Sequence, residues 1–171
     1  MALLTEKYIK ECDIDWFCLI KGIPTHIASM GGMIPQKFCD VEKLRHNQDM
    51  VARMESFCEA VLNIKSVEEQ TAEGYDYLED NSISELIEKY NNNNLGFLYL
   101  NNYDLRVKLY ASTFIEKARR GFRSFAKGEG LDADEYILIA EPDRDIDSDF
   151  FNDILYLEEL ECEQDNDSLI F

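Results

Sequence analysis

Apolar and polar side chains alternate along two adjoining stretches within residues 14–35. A two-residue turn at Lys21 and Gly22 brings Trp16 opposite Ile27 on one apolar face, because successive side chains of a strand point to opposite faces. Gly22 can supply the positive φ that such a turn requires. The pattern therefore predicts a β-hairpin near the start of the chain.

The second predicted strand contains a proline and is followed by two glycines. Pro24 donates no ladder hydrogen bond, so it predicts that this strand has an open edge. Gly31 and Gly32 predict a chain reversal out of the strand. A double glycine also allows a phosphate or another backbone to approach closely, but no phosphate-cradling motif surrounds this one.

Capping residues indicate two helices in the first half of the chain. Asp40 is a predicted N-cap for a helix over residues 41–57. Ser82 and Glu85 have the spacing of a capping box and predict a helix over residues 83–90.

The most regular helical spacing links Phe114, Ala118, Phe122 and Phe125. It predicts a helix that ends at the glycines following residue 127. Residues 105–112 either extend this helix backward or form a strand, and one long helix is favoured.

Short apolar runs and a second amphipathic pattern complete the predicted elements. Residues 58–67, 96–100 and 135–140 have the composition of strands. From residue 149 to 161, apolar side chains alternate with carboxylates and predict a helix capped by Ser148.

These elements predict an α+β fold with a mainly antiparallel sheet, an N-terminal β-hairpin, and about three to four helices on one side of the sheet. Residues 1–142 are interpreted as a single globular domain. Residues 143–171 are interpreted as an acidic amphipathic C-terminal segment, either a helix or a tail, packed on that domain.

Composition places the chain among globular proteins. It has 171 residues, of which 46% are hydrophobic, and no apolar run is long enough to cross a bilayer. The five cysteines include no C-x-x-C pair, which argues against a disulfide framework and a zinc ribbon. With no signal-peptide pattern at the start of the sequence, we expect a cytoplasmic protein without a membrane partner.

Negative charge is concentrated toward the end of the sequence. The net charge is −18, and residues 129–171 contribute −15 of it through 16 acids and one base, Arg144. Such a field repels nucleic acid and attracts basic partners, so we expect no direct nucleic-acid binding by this end.

Three patterns were weighed as chemical sites. Aspartates alternate along residues 143–149 as ligands do in a calcium loop, but Ser148 takes the required glycine position and Ile154 the required glutamate position. Cys39 with His26 or His46 as its base has no local motif of a catalytic pair, and the set His26, Cys39, His46 and Cys58 lacks the ligand spacing of a metal site. No catalytic residue, cofactor or metal site is therefore predicted.

The third pattern is a basic cluster, which consists of Lys117, Arg119, Arg120, Arg123 and Lys127. It is a solvated helix face, a phosphate-binding face, or a surface on which the acidic C-terminal segment docks within the molecule.

The charge distribution favours an interaction protein over an enzyme. The sharpest hypothesis is an inhibitor or immunity factor that covers a nucleic-acid-binding surface on a basic partner protein. The predicted partner-binding residues are Asp143, Asp145, Asp147, Asp149, Asp153, Glu158, Glu159 and Glu161 for charge, with Phe150, Phe151 and Tyr156 as anchors. The alternative is a small enzyme or ligand-binding domain that uses His26 and the turn at Gly31 and Gly32.

Overall fold

A computed structural model describes most of the chain outside its central region. The described residues are 2–63, 66, 105–127, 135–165 and 167–171. The helix predicted over residues 83–90 and the strand predicted over residues 96–100 lie outside them.

The described residues form a mixed sheet with helices packed against it. The strands are β1 Asp15–Ile20, β2 Ile23–Ala28, β3 Ala60–Leu62, β4 Arg123–Lys127, β5 Glu135–Pro142, β6 Glu163–Asp165 and β7 Ser168–Ile170. The α-helices are α1 Glu6–Glu11, α2 Val41–Arg53 and α3 Leu105–Arg119, with 3-10 helices at Gln36–Phe38 and Ser148–Phe151. Within these ranges, no helix has the length and apolar character needed to span a bilayer.

The first two strands form the predicted hairpin in the predicted register. Trp16 pairs with Ile27 and Ile20 pairs with Ile23. Lys21 and Gly22 adopt φ angles of 50° and 76° at the turn. At Gly22, the glycine adopts this positive φ without a steric penalty.

The sheet follows the order β1-β2-β4-β5-β7-β6, and β3 also pairs with β5. β2 and β4 are parallel, whereas the other described strand pairs are antiparallel, so the antiparallel prediction holds only in part. The open edge predicted at β2 is wrong, because β2 lies between β1 and β4. Pro24 is tolerated there because the parallel register begins one residue later, at Thr25.

Helices cover both faces of the sheet rather than one. Side chains of α1 and α2, Ile9 and Leu44, join Trp16 and Phe125 in one buried cluster. On the opposite face, Phe114 and other residues of α3 pack against the small side chains of β2, β4 and β5. The alternation of strand side chains supplies apolar residues to both layers.

The long helix predicted from helical spacing ends earlier than expected. Residues 105–112 are helical, but α3 ends at Arg119, and Gly121 then adopts a φ of 98°. Phe122 and Phe125 therefore do not continue the helix. They follow the turn as a buried pre-strand residue and a buried residue of β4.

The amphipathic helix predicted over residues 149–161 is also wrong. Only Ser148–Phe151 is helical, as a 3-10 helix; a turn follows over residues 152–154, and the chain then runs extended beside β1. The amide of Leu19 in β1 donates to the carbonyl of Glu158 at 2.9 Å, and the amide of Leu160 donates to the carbonyl of Leu19 at 2.7 Å.

The same extended segment continues into β6, which pairs with β7. Residues 158–165 are therefore bonded to both ends of the sheet, and Leu160 and Leu169 enter the buried cluster that contains Trp16. The division of the chain into units at residue 142 stays a prediction.

Candidate functional site

The predicted acidic site begins in a loop that follows β5. Asp143 is fastened at both ends: its amide donates to the carbonyl of Glu59 at 2.9 Å, and its carboxylate accepts from the Arg144 guanidinium at 2.9 Å. The hydrogen bond from Arg144 lowers the pKa of the Asp143 carboxyl. Arg144, the basic residue of this loop, therefore forms its ion pair with the adjacent Asp143.

The remaining carboxylates of the loop are exposed and have different structural roles. Asp147 caps the 3-10 turn by accepting from the amide of Asp149, and Asp149 accepts from the Asn152 side chain. Asp145 and Asp153 are exposed to solvent. Among the described residues, no group of three His, Cys, Asp or Glu side chains is arranged to hold a metal ion.

The three predicted aromatic anchors occupy three different environments. Phe150 is 54% exposed, whereas Phe151 has no exposed surface and stacks on Phe122 in the core. Tyr156 is 53% exposed, but Lys43 already lies over its ring, 5.7 Å from the centroid. Phe150 is therefore the predicted anchor whose exposed ring is best placed to meet another molecule.

The second part of the predicted site is held against α2 and the hairpin. The side chain of Asn47 in α2 exchanges two hydrogen bonds of 2.9 Å with the backbone of Tyr156. Glu158 lies 3.9 Å from Lys43, and the Glu159 carboxylate accepts from the amide of Gly22 at 2.8 Å. The Lys37 ammonium donates to the backbone carbonyl of Glu159, so Lys37 and Lys43 both place positive charge beside these carboxylates.

Glu161 is exposed on the same extended segment. Leu160 belongs to the buried cluster, and the half-buried Cys162 packs against it. Because side chains alternate along an extended chain, the Glu161 side chain lies on the opposite side of the segment. The alternation therefore directs this carboxylate to solvent.

One exposed aromatic residue was missed by the sequence interpretation. Phe57 is 40% exposed, and its ring centroid lies 5.2 Å from that of Phe150. A Cβ atom at Gly121 would meet both Phe57 and Phe151, at 2.9 Å and 3.0 Å, so this glycine permits the rings to pack closely. Phe57 lies far from the acidic segment in sequence, and no local pattern links the two.

A cleft of about 530 Å³ is lined by Gly121, which lies beside the Phe57 ring. Its apolar lining comes from the hairpin and the loop after β5: Ile23, Pro24, Pro142 and Ile146. Asp143 and Asp145 line it as well, and Arg123 within it lies 3.4 Å from a carboxylate oxygen of Glu141.

His26, the residue of the alternative site, is completely buried. Its Nε2 lies 2.8 Å from a carboxylate oxygen of Asp15 and its Nδ1 lies 2.5 Å from Ser124 Oγ. A neutral ring with the proton on Nε2 donates to Asp15 and accepts from Ser124, so it satisfies both contacts. This Asp-His-Ser arrangement joins β1, β2 and β4, and because Ser124 is also fully buried it is a structural network rather than an accessible nucleophile.

Burial governs the titration of this network. It lowers the pKa of His26, against the opposing hydrogen bond to Asp15. Burial is the largest single effect on Asp15 and would raise its pKa, but the hydrogen bond and charge of His26 together with the charge of Lys117 outweigh it, and the net pKa lies below the ordinary value.

Gly31 and Gly32 are required by close packing. Gly31 has a φ of 79°, and a Cβ there would lie 2.8 Å from the carbonyl oxygen of Lys10. A Cβ at Gly32 would overlap the Tyr136 hydroxyl and lie 2.8 Å from the carbonyl of Ser29. Both glycines also line a cleft of about 650 Å³, together with apolar side chains of the N-terminal segment.

The basic cluster does not form a single helix face. Lys117 and Arg119 lie at the end of α3, Arg120 follows it, and Arg123 and Lys127 begin and end β4. In the part of the chain that the structure describes, Arg120 pairs with Glu116 and Arg123 with Glu141, rather than with residues 143–171. The acidic segment instead packs against β1 and α2.

The cysteines are free thiols. Burial raises the pKa of Cys18 and of Cys39, and Cys39 Sγ lies 3.5 Å from the carbonyls of Ile34 and Pro35. A raised pKa disfavours the thiolate that a nucleophile needs.

Comparison of the chain with protein-family models, with curated proteins and with solved structures finds no match.

Proposed function

We propose that this chain is a small acidic cytoplasmic interaction protein that binds a basic surface of another protein. In its sharpest form it is an inhibitor or immunity factor that keeps nucleic acid away from that surface. A partner of this kind carries the lysines and arginines that otherwise contact phosphates.

One observation carries the proposal: exposed carboxylates lie on a segment that backbone hydrogen bonds fasten to the sheet. Asp145, Asp153 and Glu161 are exposed, and the chain between the last two is held by bonds to Asn47 and Leu19. A surface that is already ordered loses less entropy on binding than a flexible tail does. The concentration of charge in this segment also favours rapid capture of a basic partner.

The test neutralises carboxylates that have no capping role. The variant Asp145→Asn, Asp153→Asn, Glu161→Gln is compared with Glu11→Gln, Asp49→Asn, Glu55→Gln, which removes the same charge from exposed positions elsewhere. Each protein is used to capture partners at low and high salt, because ion pairs between exposed groups weaken as salt rises. A captured basic protein is then purified, and its binding to a labelled DNA duplex is followed by fluorescence anisotropy.

We expect the unmodified protein and the control variant to displace the duplex at similar concentrations. The Asp145, Asp153 and Glu161 variant should need about tenfold more protein, as expected for the loss of three modest ion pairs. Equal displacement by the two triple variants contradicts the proposal.

The cleft beside Gly31 and Gly32 favours a second candidate, a ligand-binding domain. Its volume of about 650 Å³ falls within the range of small-molecule sites. His26 is buried and does not line this cleft. This candidate predicts that an apolar small molecule raises the melting temperature and that the cleft variant Met33→Glu abolishes the rise. A compound screen that leaves the melting temperature unchanged argues against it.

A further inference from the structure

We propose that the cleft beside Gly121 and the ring pair of Phe57 and Phe150 form the anchoring surface for a protein segment bearing arginine or lysine next to an apolar side chain. This inference rests on the proposed function and assigns a place and a chemistry to its contact. We call this surface the Phe57–Phe150 surface; it consists of the two rings and the adjoining cleft.

Two exposed phenylalanine rings lie side by side at this surface. Phe57 and Phe150 leave 40% and 54% of their surfaces exposed, although their ring centroids lie only 5.2 Å apart. Gly121, beside the Phe57 ring, lines a concave cleft of about 530 Å³ whose walls combine apolar and charged side chains. Paired aromatic rings beside a cleft are typical of the central anchors of protein interfaces.

Phe150 is supported by buried aromatic side chains and by its backbone. Its ring packs edge-on against Phe151 with 5.0 Å between centroids, and Phe151 is itself stacked on Phe122 in the core. The backbone amide of Phe150 donates to the carbonyl of Asp147 at 3.1 Å. A ring held in this way loses little conformational freedom when a partner covers it.

The charge of the rim identifies the occupant. The two arginines that line the cleft are matched by acids, since Arg144 pairs with Asp143 and Arg123 lies against Glu141. The exposed carboxylates of Asp145, Asp147 and Asp149 are then available to a cation from outside. An arginine or lysine bound between these carboxylates and the Phe150 ring gains ion pairing and a cation–π contact together.

The same charge argues against two other occupants. A second copy of this chain carries the same net charge of −18 and is repelled. Nucleic acid is repelled for the same reason. A basic protein segment is the occupant whose charge complements the rim.

The experiment measures binding of a short fluorescein-labelled peptide of Arg-Leu-Gly repeats to the full chain. A second peptide has every arginine replaced by citrulline, which is neutral and similar in shape. Phe150→Ala and Phe57→Ala are compared with Tyr8→Ala, a control that removes an aromatic ring of similar exposure, 52%, from α1. Thermal unfolding of each variant confirms that it is folded, and sedimentation reports self-association.

We expect Phe150→Ala and Phe57→Ala each to weaken binding of the arginine peptide about fivefold, the size of one exposed cation–π contact. Tyr8→Ala should bind as the unmodified protein does, and the citrulline peptide should not distinguish the variants. If the two phenylalanine variants and the control bind equally, the Phe57–Phe150 surface is not the anchor. If Phe150 instead governs self-association, the occupant is a second copy and the inference is wrong.

The carboxylate variant separates this inference from the proposed function. Loss of peptide binding on neutralising Asp145, Asp153 and Glu161, with no effect of Phe150→Ala, leaves the acidic interaction surface standing and rejects the aromatic anchor. No effect of either change rejects both.

Discussion

Phe151 stacks on Phe122 with 4.8 Å between ring centroids and an angle of 26° between ring planes. The contact joins the loop after β5 to the residue preceding β4, and Phe17, Val51 and Leu155 complete the buried cluster around it. The acidic segment therefore contributes to the core and to the surface through two consecutive phenylalanines, since Phe150 points outward.

This arrangement predicts losses of stability of very different size for substitutions of these two neighbouring residues. Phe151→Ala should lower the free energy of unfolding by about 3–5 kcal/mol, because it leaves a cavity in the core. Phe150→Ala, at an exposed position, should cost less than about 1 kcal/mol. Urea unfolding followed by the fluorescence of Trp16, the single tryptophan, measures both. Equal losses for the two variants would contradict the burial described here.

The buried network of Asp15, His26 and Ser124 predicts acid sensitivity. Because the folded-state pKa of His26 is lowered, its contribution to stability is present above the ordinary value of 6.5 and is lost as the pH falls through the folded-state pKa. The lowered pKa of Asp15 acts in the same direction, starting from its ordinary value of 3.8. The positive charge of Lys117 also lowers the pKa of His26, whereas the negative charge of Asp13 raises it.

The corresponding measurement is the free energy of unfolding between about pH 8 and about pH 5. It should decrease toward acid in the unmodified protein and should vary less in His26→Gln, whose side chain does not titrate. A variant profile parallel to that of the unmodified protein would show that His26 is not the source.

The three glycines near the hairpin should tolerate alanine very differently. Gly22 has a φ of 76° but open space around its Cβ position, so Gly22→Ala should cost only about 1–2 kcal/mol for the left-handed backbone. Gly32→Ala places a methyl group against the Tyr136 hydroxyl and the Ser29 carbonyl and should cost up to about 3 kcal/mol from overpacking. Gly31→Ala should incur both the cost of a left-handed backbone and a steric clash with the carbonyl oxygen of Lys10. Melting temperatures that rank Gly22→Ala as the most damaging would contradict this packing.

Truncation after residue 142 should prevent cooperative folding. It removes Phe151, Leu155, Leu160 and Leu169, all buried. At about 1.5–3 kcal/mol for each side chain, the loss is roughly 6–12 kcal/mol, comparable with the whole stability of a typical domain. Circular dichroism and urea unfolding of the truncated chain test this. A sharp transition near that of the full chain would show that residues 1–142 fold alone.

Local patterns were sufficient for some elements because their determinants are adjacent in sequence. The hairpin register follows from alternation across Lys21 and Gly22, and α2 begins where Asp40 accepts hydrogen bonds from the amides of Glu42 and Lys43. Both features depend on residues only a few positions apart.

Other elements were misassigned because tertiary contacts decide them. The spacing of Phe114, Ala118 and Phe122 suits a helix, but the chain turns at Gly121 and presents Phe122 to a different cluster. Residues 149–161 also have helical spacing, yet Leu155 and Leu160 pack in separate clusters that a short helix does not reach. β6 and β7 were missed because each has only three residues, too few to show an alternating pattern, and the acidic residues of β6 carry little β-propensity.

The Phe57–Phe150 surface was foreseen only in part. The concentration of negative charge indicated the loop after β5. The sequence does not show which of the adjacent Phe150 and Phe151 is exposed. Phe57 is distant in sequence and is brought beside Phe150 only by the fold. The exposed role of Phe150 depends on Phe151 being the buried member of the pair.

The bonds between Leu19 and residues 158–160 have a consequence for biosynthesis. A ribosome releases β1 long before its edge partner, so the outer amides of an apolar strand stay uncovered while more than a hundred residues are still to be joined, roughly ten seconds or more at ordinary elongation rates. An uncovered edge of this kind invites pairing with other nascent chains. Because closure of this edge pairs residues far apart in the sequence, we expect it to come late and to slow folding.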